Sequence, residues 1–181
     1  MTDVLALDIG GGSTEFIIDR FGENPVVRSI DIGVVRLCER LLHHDPPTEE
    51  EVHQAQEWVA RETKAAVADM GNYHTATFVG TAGTITSLAA MAQKLPTYEP
   101  ARIHNYRLQF DTIQELEQTI ISRKKADRVG LPGLEKDREE VVAAGAIIIR
   151  TIMETLSENE CLVSDLGLRE GVLLNLVLSL C

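Results

Sequence analysis

A glycine cluster between two short apolar runs is the feature that most constrains the fold of this chain. Val4-Leu5-Ala6-Leu7 precedes the cluster and Phe16-Ile17-Ile18 follows it, so that only residues 8–15 lie between the two runs. Apolar runs this short and this close together predict two strands joined by a tight connection rather than a strand followed by a helix. The chain is therefore predicted to begin with a β-hairpin.

The connection between these strands has the composition of a site for a metal-bound phosphate. It reads Asp8-Ile9-Gly10-Gly11-Gly12-Ser13-Thr14-Glu15. Glycines can bring bare N–H groups close to an anion, hydroxyls can donate to it, and the two carboxylates offer hard oxygens to Mg²⁺. A simple turn is the alternative explanation of the glycines, but a turn needs neither carboxylates nor hydroxyls. The P-loop and dinucleotide motifs do not fit, because no Lys and no helix follows the glycines.

Composition limits the class of protein. The 181 residues, 44% of them apolar, suffice for one core, and no segment approaches the roughly 20 apolar residues that span a bilayer. The first residues lack the positive charge of a signal peptide, and three widely spaced cysteines indicate neither a disulfide framework nor a zinc site. A net charge of −11 disfavours binding to DNA and to anionic membranes. We therefore expect a cytoplasmic protein that holds phosphate locally.

Hydrophobic periodicity predicts an α/β fold. Strands are expected at 4–8, 14–19, 26–32, 76–79 and 161–163, with a further candidate at 106–110; helices are expected at 34–43, 48–70, from the Gly80 segment to residue 93, and at 111–122, 139–156 and 168–180. Thr48 and Glu51 form a capping box, and Asp111 is the expected N-cap of its helix. Three hairpin-connected strands, extended by strands that return through helices, predict a ribonuclease H-like domain. Its sheet is expected to be mixed and five-stranded, with helices on both faces.

Three spaced motifs resemble one protein family. They are the segment 8–15, Gly80-Thr81-Ala82-Gly83-Thr84-Ile85 and Ser164-Asp165-Leu166-Gly167-Leu168-Arg169-Glu170-Gly171, and the segments 29–40 and 138–145 add two further matches. In this order and spacing they resemble the second domain of the exopolyphosphatase and guanosine pentaphosphate phosphohydrolase family, over nearly the whole chain. That family is related to actin, sugar kinases and acetate kinase. The resemblance therefore implies an actin-like ATPase domain.

The resemblance also implies roles for individual residues. Asp8 and Glu15 are the expected catalytic and metal-binding acids; Mg²⁺ is the expected cofactor, and a monovalent cation such as K⁺ is a second candidate ion. The expected phosphate-binding residues are Gly10, Gly11, Gly12, Ser13, Thr14, Gly80, Thr81, Gly83, Thr84 and Arg36. Arg36 is included because it lies near the start of the helix after the third strand, where a side chain can reach the cleft. For Arg36, a structural salt bridge is an equal alternative to a phosphate contact. Arg169 can pair with Asp165 or Glu170 instead of substrate.

The reaction implied by the resemblance is release of terminal phosphate from inorganic polyphosphate or guanosine pentaphosphate (pppGpp). Family members begin with another domain, which carries a first phosphate loop and the catalytic base. We expect residues 1–181 to be a single domain equivalent to the second one, with the family's first domain as its partner and with weak activity alone. An exposed cleft wall also favours homo-oligomers. Two alternatives remain open, namely a non-catalytic polyphosphate- or nucleotide-sensing domain and half of a related phosphotransferase.

Overall fold

A computed structural model describes residues 3–73 and 76–179, apart from the side chains at positions 168, 169, 175, 178 and 179. Within these residues the strands are β1 (Val4–Ile9), β2 (Thr14–Asp19), β3 (Val26–Ile30), β4 (Thr77–Thr81), β5 (Arg107–Gln109) and β6 (Glu160–Val163). The helices are α1 (Val34–Leu41), α2 (Glu49–Val67), α3 (Ala82–Ala92), α4 (Pro100–Ile103), α5 (Phe110–Ile121), α6 (Lys125–Arg128), α7 (Val142–Leu156) and α8 (Leu168–Ser179).

The strands form one mixed sheet in the order β3-β2-β1-β4-β6-β5. The first three strands make the predicted antiparallel meander, β4 runs parallel to β1, and β6 runs parallel to β4. The prediction of five strands is wrong, because the three-residue β5 pairs antiparallel with β6 and becomes the sixth. A strand of three residues is too short to establish an alternating pattern in the sequence.

The two faces of the sheet are buried to different extents. Leu5, Leu7 and Ile9 of β1 are fully buried, whereas the alternating residues of the same strand, which include Asp8, are only half-buried. The buried face packs against α3, where the side chain of Ile85 would meet any Cβ placed on Gly80. The half-buried face is therefore the one on which polar residues can meet a ligand.

A second layer of helices completes the core. The helix α7 contacts α1, α2, α3 and α5, and most of its residues are buried around its whole circumference. A helix that is apolar on every side is stable only when it is surrounded. The buried position of α7 fixes how the helices that carry the loops of the cleft are arranged.

The helix ends confirm one of the predicted helix caps and contradict another. The capping box at the start of α2 is present, with the Glu51 N–H donating to Thr48 Oγ1 and the Thr48 N–H donating to Glu51 Oε2. The prediction of Asp111 as an N-cap is wrong, since Gln109 occupies that position and Asp111 lies in the first turn of α5. Neither α4 nor α6 was predicted, and each has only four residues.

The helix α8 exposes a large apolar surface. Val172, Leu173, Leu174, Leu176 and Val177 are each more than half exposed. An apolar patch of this kind is typical of an interaction surface. No helix in the described residues is both long and apolar enough to cross a membrane.

Candidate functional site

Three neighbouring strands place two carboxylates and a hydroxyl in one row. Asp8 of β1 is directly paired with Glu15 of β2 on one side and with Thr81 of β4 on the other. All three residues are half-buried and lie on the half-buried face, because residues paired across neighbouring strands point to the same side of a sheet. The row lies at the carboxyl ends of the parallel strands β1 and β4, where α/β sheets commonly bind ligands.

The two carboxylates affect each other. Partial burial, and next the negative charge of Glu15, raise the pKa of the Asp8 carboxyl above its usual value. Glu15 is oriented by the hydroxyl of Ser29, which donates to its Oε1 at 2.9 Å. A cation placed between the carboxylates would relieve their repulsion.

The glycine loop is held by the start of α1. The N–H of Val34 donates to the Gly10 carbonyl at 3.0 Å, and the N–H of Val35 donates to the Gly11 carbonyl at 2.9 Å. In a trans peptide the C=O and the following N–H point in opposite directions, so the N–H groups of Gly11 and Gly12 point away from α1. Neither N–H finds an acceptor in the described part of the chain, and both glycines are exposed. These two groups are available to an anion.

The two hydroxyl residues of this loop differ in position. Thr14 is fully buried on the opposite face from Glu15, and its hydroxyl donates to the Ile32 carbonyl at 2.6 Å. Its hydroxyl therefore ties the hairpin to the segment before α1. Ser13 is half-buried, and its carbonyl accepts the N–H of Gly10 at 3.0 Å.

In the second glycine segment, from Gly80 to Thr84, some residues also pack inside the domain while others line a cavity. A Cβ on Gly80 would lie 2.6 Å from Cys161 Sγ, so this glycine allows β4 to pack closely. The Thr84 hydroxyl donates to the Ile9 carbonyl at 3.1 Å. Thr81 and Gly83, by contrast, line the cavity that contains Asp8.

That cavity has a volume of about 360 Å³ and is lined by the basic side chain of Arg138, which is not among the site residues predicted from the sequence. The Arg138 guanidinium lies directly over Gly83, where a Cβ would stand 2.2 Å from Nη2. Its Nε is 3.3 Å from Glu135 Oε2, and its side chain is partly exposed. In the sequence, Arg138 stands out only as the first residue of the matching segment 138–145, because no local pattern indicates that it reaches Gly83.

The far wall of the cavity is polar as well. The Tyr98 hydroxyl donates to Asp165 Oδ1. Burial, together with this hydrogen bond, raises the pKa of Tyr98 to about 12. The side chain of Arg169, for which pairing with Asp165 or Glu170 was an expectation, lies outside the described side chains.

Arg36 stands beside the first loop. Its Nη1 forms an ion pair with Asp31 Oδ1 at 2.8 Å, and its Nη2 would be 3.8 Å from a Cβ on Gly12. The salt bridge is exposed and can be exchanged at small cost. Arg36 is thus both paired and within reach of the glycine loop.

The donor set suits a metal that is shared with substrate. Within residues 3–73 and 76–179, no group of three or more His, Cys, Asp or Glu side chains forms a metal cage. Mg²⁺ typically binds one or two carboxylates and completes its shell with water and phosphate oxygens. Asp8 and Glu15, which are paired across β1 and β2, fit that pattern.

The whole chain matches one family. Residues 2–180 match the model of the Ppx/GppA phosphatase family. Exopolyphosphatase 2 of Mycobacterium tuberculosis is 36% identical over 178 residues, which cover 95% of this chain and 55% of that protein. Exopolyphosphatase 1 of Mycobacterium leprae is 32% identical over 177 residues, which cover 94% of this chain and 50% of that protein.

Solved structures show the same fold. The crystal structure of the Aquifex aeolicus member of the Ppx/GppA family superimposes with a TM-score of 0.89 at 34% identity, covering 98% of this chain and 56% of that one. The chain spans about half the length of the curated relatives it matches.

Proposed function

Since the chain belongs to the Ppx/GppA phosphatase family, we propose that it is the phosphate-binding half of a phosphoanhydride hydrolase that releases terminal phosphate from inorganic polyphosphate. The observation that carries this proposal is the position of the Gly11 and Gly12 N–H groups. They point away from α1, at the end of the strand that carries Asp8, and the described residues offer them no acceptor.

The two acids of the row and three nearby residues have separate roles in the proposal. The Gly11 and Gly12 N–H groups hold a phosphate, and Arg138, which lines the cavity at Asp8, balances its charge. Asp8 and Glu15 would hold Mg²⁺, which supplies positive charge to the phosphate oxygens when it is bound. Glu15, held by Ser29, also orients a water towards the phosphate.

The small free energy of phosphate binding expected for this loop explains why a second domain is part of the proposal. Two charge-assisted hydrogen bonds at about 1.5 kcal/mol each give about 3 kcal/mol, which is less than the ~4.1 kcal/mol of a millimolar complex. Phosphoryl transfer also requires an oriented nucleophile and charges on both sides of the phosphate. We therefore propose that the other half of the site lies in a domain equivalent to the part of the relatives that this chain does not cover.

Inorganic polyphosphate is the substrate that we favour over guanosine pentaphosphate. Curated relatives at 36% and 32% identity are named exopolyphosphatases. The loop and the cavity also offer N–H groups and a guanidinium that can bind phosphate, and carboxylates that can hold Mg²⁺.

The binding step is tested by amide chemical-shift mapping of the 181-residue chain with pyrophosphate, with and without Mg²⁺. The amide signals of Gly11 and Gly12 should shift, and Mg²⁺ should make these shifts larger. The Asp8→Asn variant should lose this effect of Mg²⁺. Gly22, an exposed turn glycine far along the hairpin, serves as an internal control. Shifts confined to residues 123–128 would contradict the proposal.

The half-site is tested by activity. The isolated chain should release phosphate from polyphosphate at a negligible rate, and addition of the family's first domain, in trans or by fusion, should restore turnover. Enzymatic rates from the extensively purified chain alone would overturn this part of the proposal.

A further inference from the structure

The carbonyl group of Ile9, the last residue of β1, is bound by a side chain rather than by the neighbouring strand. The Asp3 carbonyl accepts the Thr77 N–H at 2.7 Å, and carbonyls two residues apart along a strand point to the same side, so the Ile9 carbonyl also points towards β4. However, β4 ends at Thr81, which pairs with the residue before Ile9. The Thr84 hydroxyl, in the first turn of α3, donates to the Ile9 carbonyl at 3.1 Å instead.

The glycines that follow have little conformational preference of their own, so hydrogen bonds must hold their peptide groups. The peptide between Ile9 and Gly10 is held on both sides, because its carbonyl accepts from Thr84 and its N–H donates across the loop at 3.0 Å. The next two peptides are held through their carbonyls by the first N–H groups of α1. The N–H groups of Gly11 and Gly12 therefore take their direction from a loop whose first peptide is anchored by Thr84.

The position of Thr84 is itself fixed by close packing. A Cβ on Gly145 would lie 2.6 Å from Thr84 Cγ2, so the buried helix α7 passes directly against this threonine. The chain enters α3 through Ala82, whose φ of +68° lies in a region that L-residues seldom adopt. This sharp entry and the contact with α7 hold the Thr84 hydroxyl next to the end of β1.

The hydroxyl of Thr84 has one proton to donate, and that proton is directed at the Ile9 carbonyl. The described residues that line the cavity at Asp8 include Thr81 and Gly83 but not Thr84. Both observations favour an indirect action of Thr84 on a bound phosphate. A direct phosphate contact is the alternative that an experiment has to separate from it.

We propose that Thr84 is a positioning residue whose hydroxyl sets the direction of the Gly11 and Gly12 N–H groups. It acts through the peptide between Ile9 and Gly10 and does not touch the phosphate. This inference rests on the proposed function, in which the two N–H groups hold the phosphate. Without the anchor, the glycines are free to rotate and the N–H groups lose their common direction.

The orientation is measured by residual dipolar couplings of the Gly11 and Gly12 N–H bonds in the free 181-residue chain. Thr84→Val replaces the hydroxyl by a methyl group of similar size and leaves the Ile9 carbonyl without its donor, so both couplings should change. Thr84→Ser keeps the hydroxyl and should restore them. Wild-type couplings in a folded Thr84→Val chain would overturn the proposal.

The matched control is Thr63→Val, which makes the same substitution at a buried threonine of α2. The Thr63 hydroxyl has no hydrogen-bond partner among the described residues, so the couplings should stay at their wild-type values. Equal changes in this variant would trace the effect to a general loss of stability and overturn the role of Thr84. If circular dichroism shows that Thr84→Val does not fold, Thr84→Ala removes the same hydroxyl without placing a methyl group against the carbonyl.

Binding of pyrophosphate in the presence of Mg²⁺ separates the positioning role from direct contact. Thr84→Val should weaken this binding by about tenfold, the effect of one lost hydrogen bond, and Thr84→Ser should recover most of the affinity. Weaker binding with unchanged couplings in the free chain would show direct contact and overturn the positioning role. Absence of pyrophosphate-induced shifts at Gly11 and Gly12 in the wild-type chain would overturn the proposed function, whereas the couplings alone decide the role of Thr84.

Discussion

Gly33 lies so close to Gly11 that a Cβ atom on Gly33 would stand 2.4 Å from both the carbonyl carbon and the carbonyl oxygen of Gly11. The backbone of Gly33 itself is extended, so the requirement for glycine here is one of space and not of conformation. This close approach lets the first N–H groups of α1 reach the loop carbonyls.

The first prediction follows from this contact. Gly33→Ala should lower the free energy of unfolding by about 1–3 kcal/mol, as overpacking does, and should weaken pyrophosphate binding because the loop must move away from α1. The measurements are urea unfolding and chemical-shift titration. Gly171→Ala is the matched control, since no atom lies within 4 Å of its Cβ and alanine favours the helix α8. Similar losses in both variants would refute the steric explanation.

The acid pair gives a second prediction. In the two-domain enzyme, Asp8→Asn and Glu15→Gln should each reduce kcat by about 100-fold or more, because each removes charge from the reacting phosphate without changing side-chain volume. Circular dichroism and urea unfolding should show an intact fold. A variant with near-normal turnover would lose its residue's assignment to catalysis.

A third prediction concerns the pKa of Asp8. Glu15→Gln should lower this pKa, because the negative charge of Glu15 is one of its two causes of elevation. The pKa should not return fully to its usual value, since burial is the larger cause and remains. Carbon-detected NMR titration of the Asp8 carboxyl measures the shift, and an unchanged or higher pKa would contradict the pairing of the two acids.

The capping box predicts a pH dependence of stability. Burial raises the pKa of Glu51, but hydrogen bonds from His44 and from the backbone N–H groups of Thr48 and His43 outweigh it and lower the pKa to about 2. A carboxyl with a depressed folded-state pKa adds stability that is present above its unfolded-state pKa of 4.5 and is lost as the pH falls towards 2.

Glu51→Gln should therefore flatten the fall of unfolding free energy between pH 4.5 and 2. Urea unfolding across this range measures the effect. Glu50→Gln is the control, because Glu50 is exposed and its carboxylate accepts from Gln54 on the surface of the same helix. Identical pH profiles for the two variants would remove the capping box as the cause.

The apolar surface of α8 gives a fifth prediction. The isolated chain should self-associate, and combining Leu173→Glu with Leu176→Glu should shift it towards monomer, because both leucines are more than half exposed. Analytical ultracentrifugation measures the change. Association that persists unchanged in the double variant would place the contact elsewhere.

Much of the fold was predictable because its signals are local. The meander of β1 to β3 follows from short apolar runs with close turns, and the start of α2 follows from Thr48 and Glu51. The strand β5 could not be counted reliably, because its three residues gain their order from pairing with β6. Asp111 looked like a cap, but the helix begins before it.

The sequence specifies the residue types of the candidate site but not the orientation of its side chains. Asp8, Gly11 and Gly12 are predicted from their types and spacing, and the structure places them together at the end of β1. Whether a neighbouring hydroxyl faces the ligand or the core depends on which face of the sheet it occupies, and Thr14 and Thr84 both donate to backbone carbonyls. Arg138 meets Gly83 only through tertiary packing, for which the sequence carries no local signal.

One hydrogen bond connects the segment before the exposed helix α8 to the strand that lines the cleft. The Thr81 hydroxyl donates to the Leu166 carbonyl at 3.0 Å, two residues before α8 begins, and Thr81 is paired in the sheet with Asp8. Tilting α8 would therefore pull on the strand position beside the carboxylates. The same hydrogen bond places the apolar surface of α8 one contact away from the strand residue paired with Asp8.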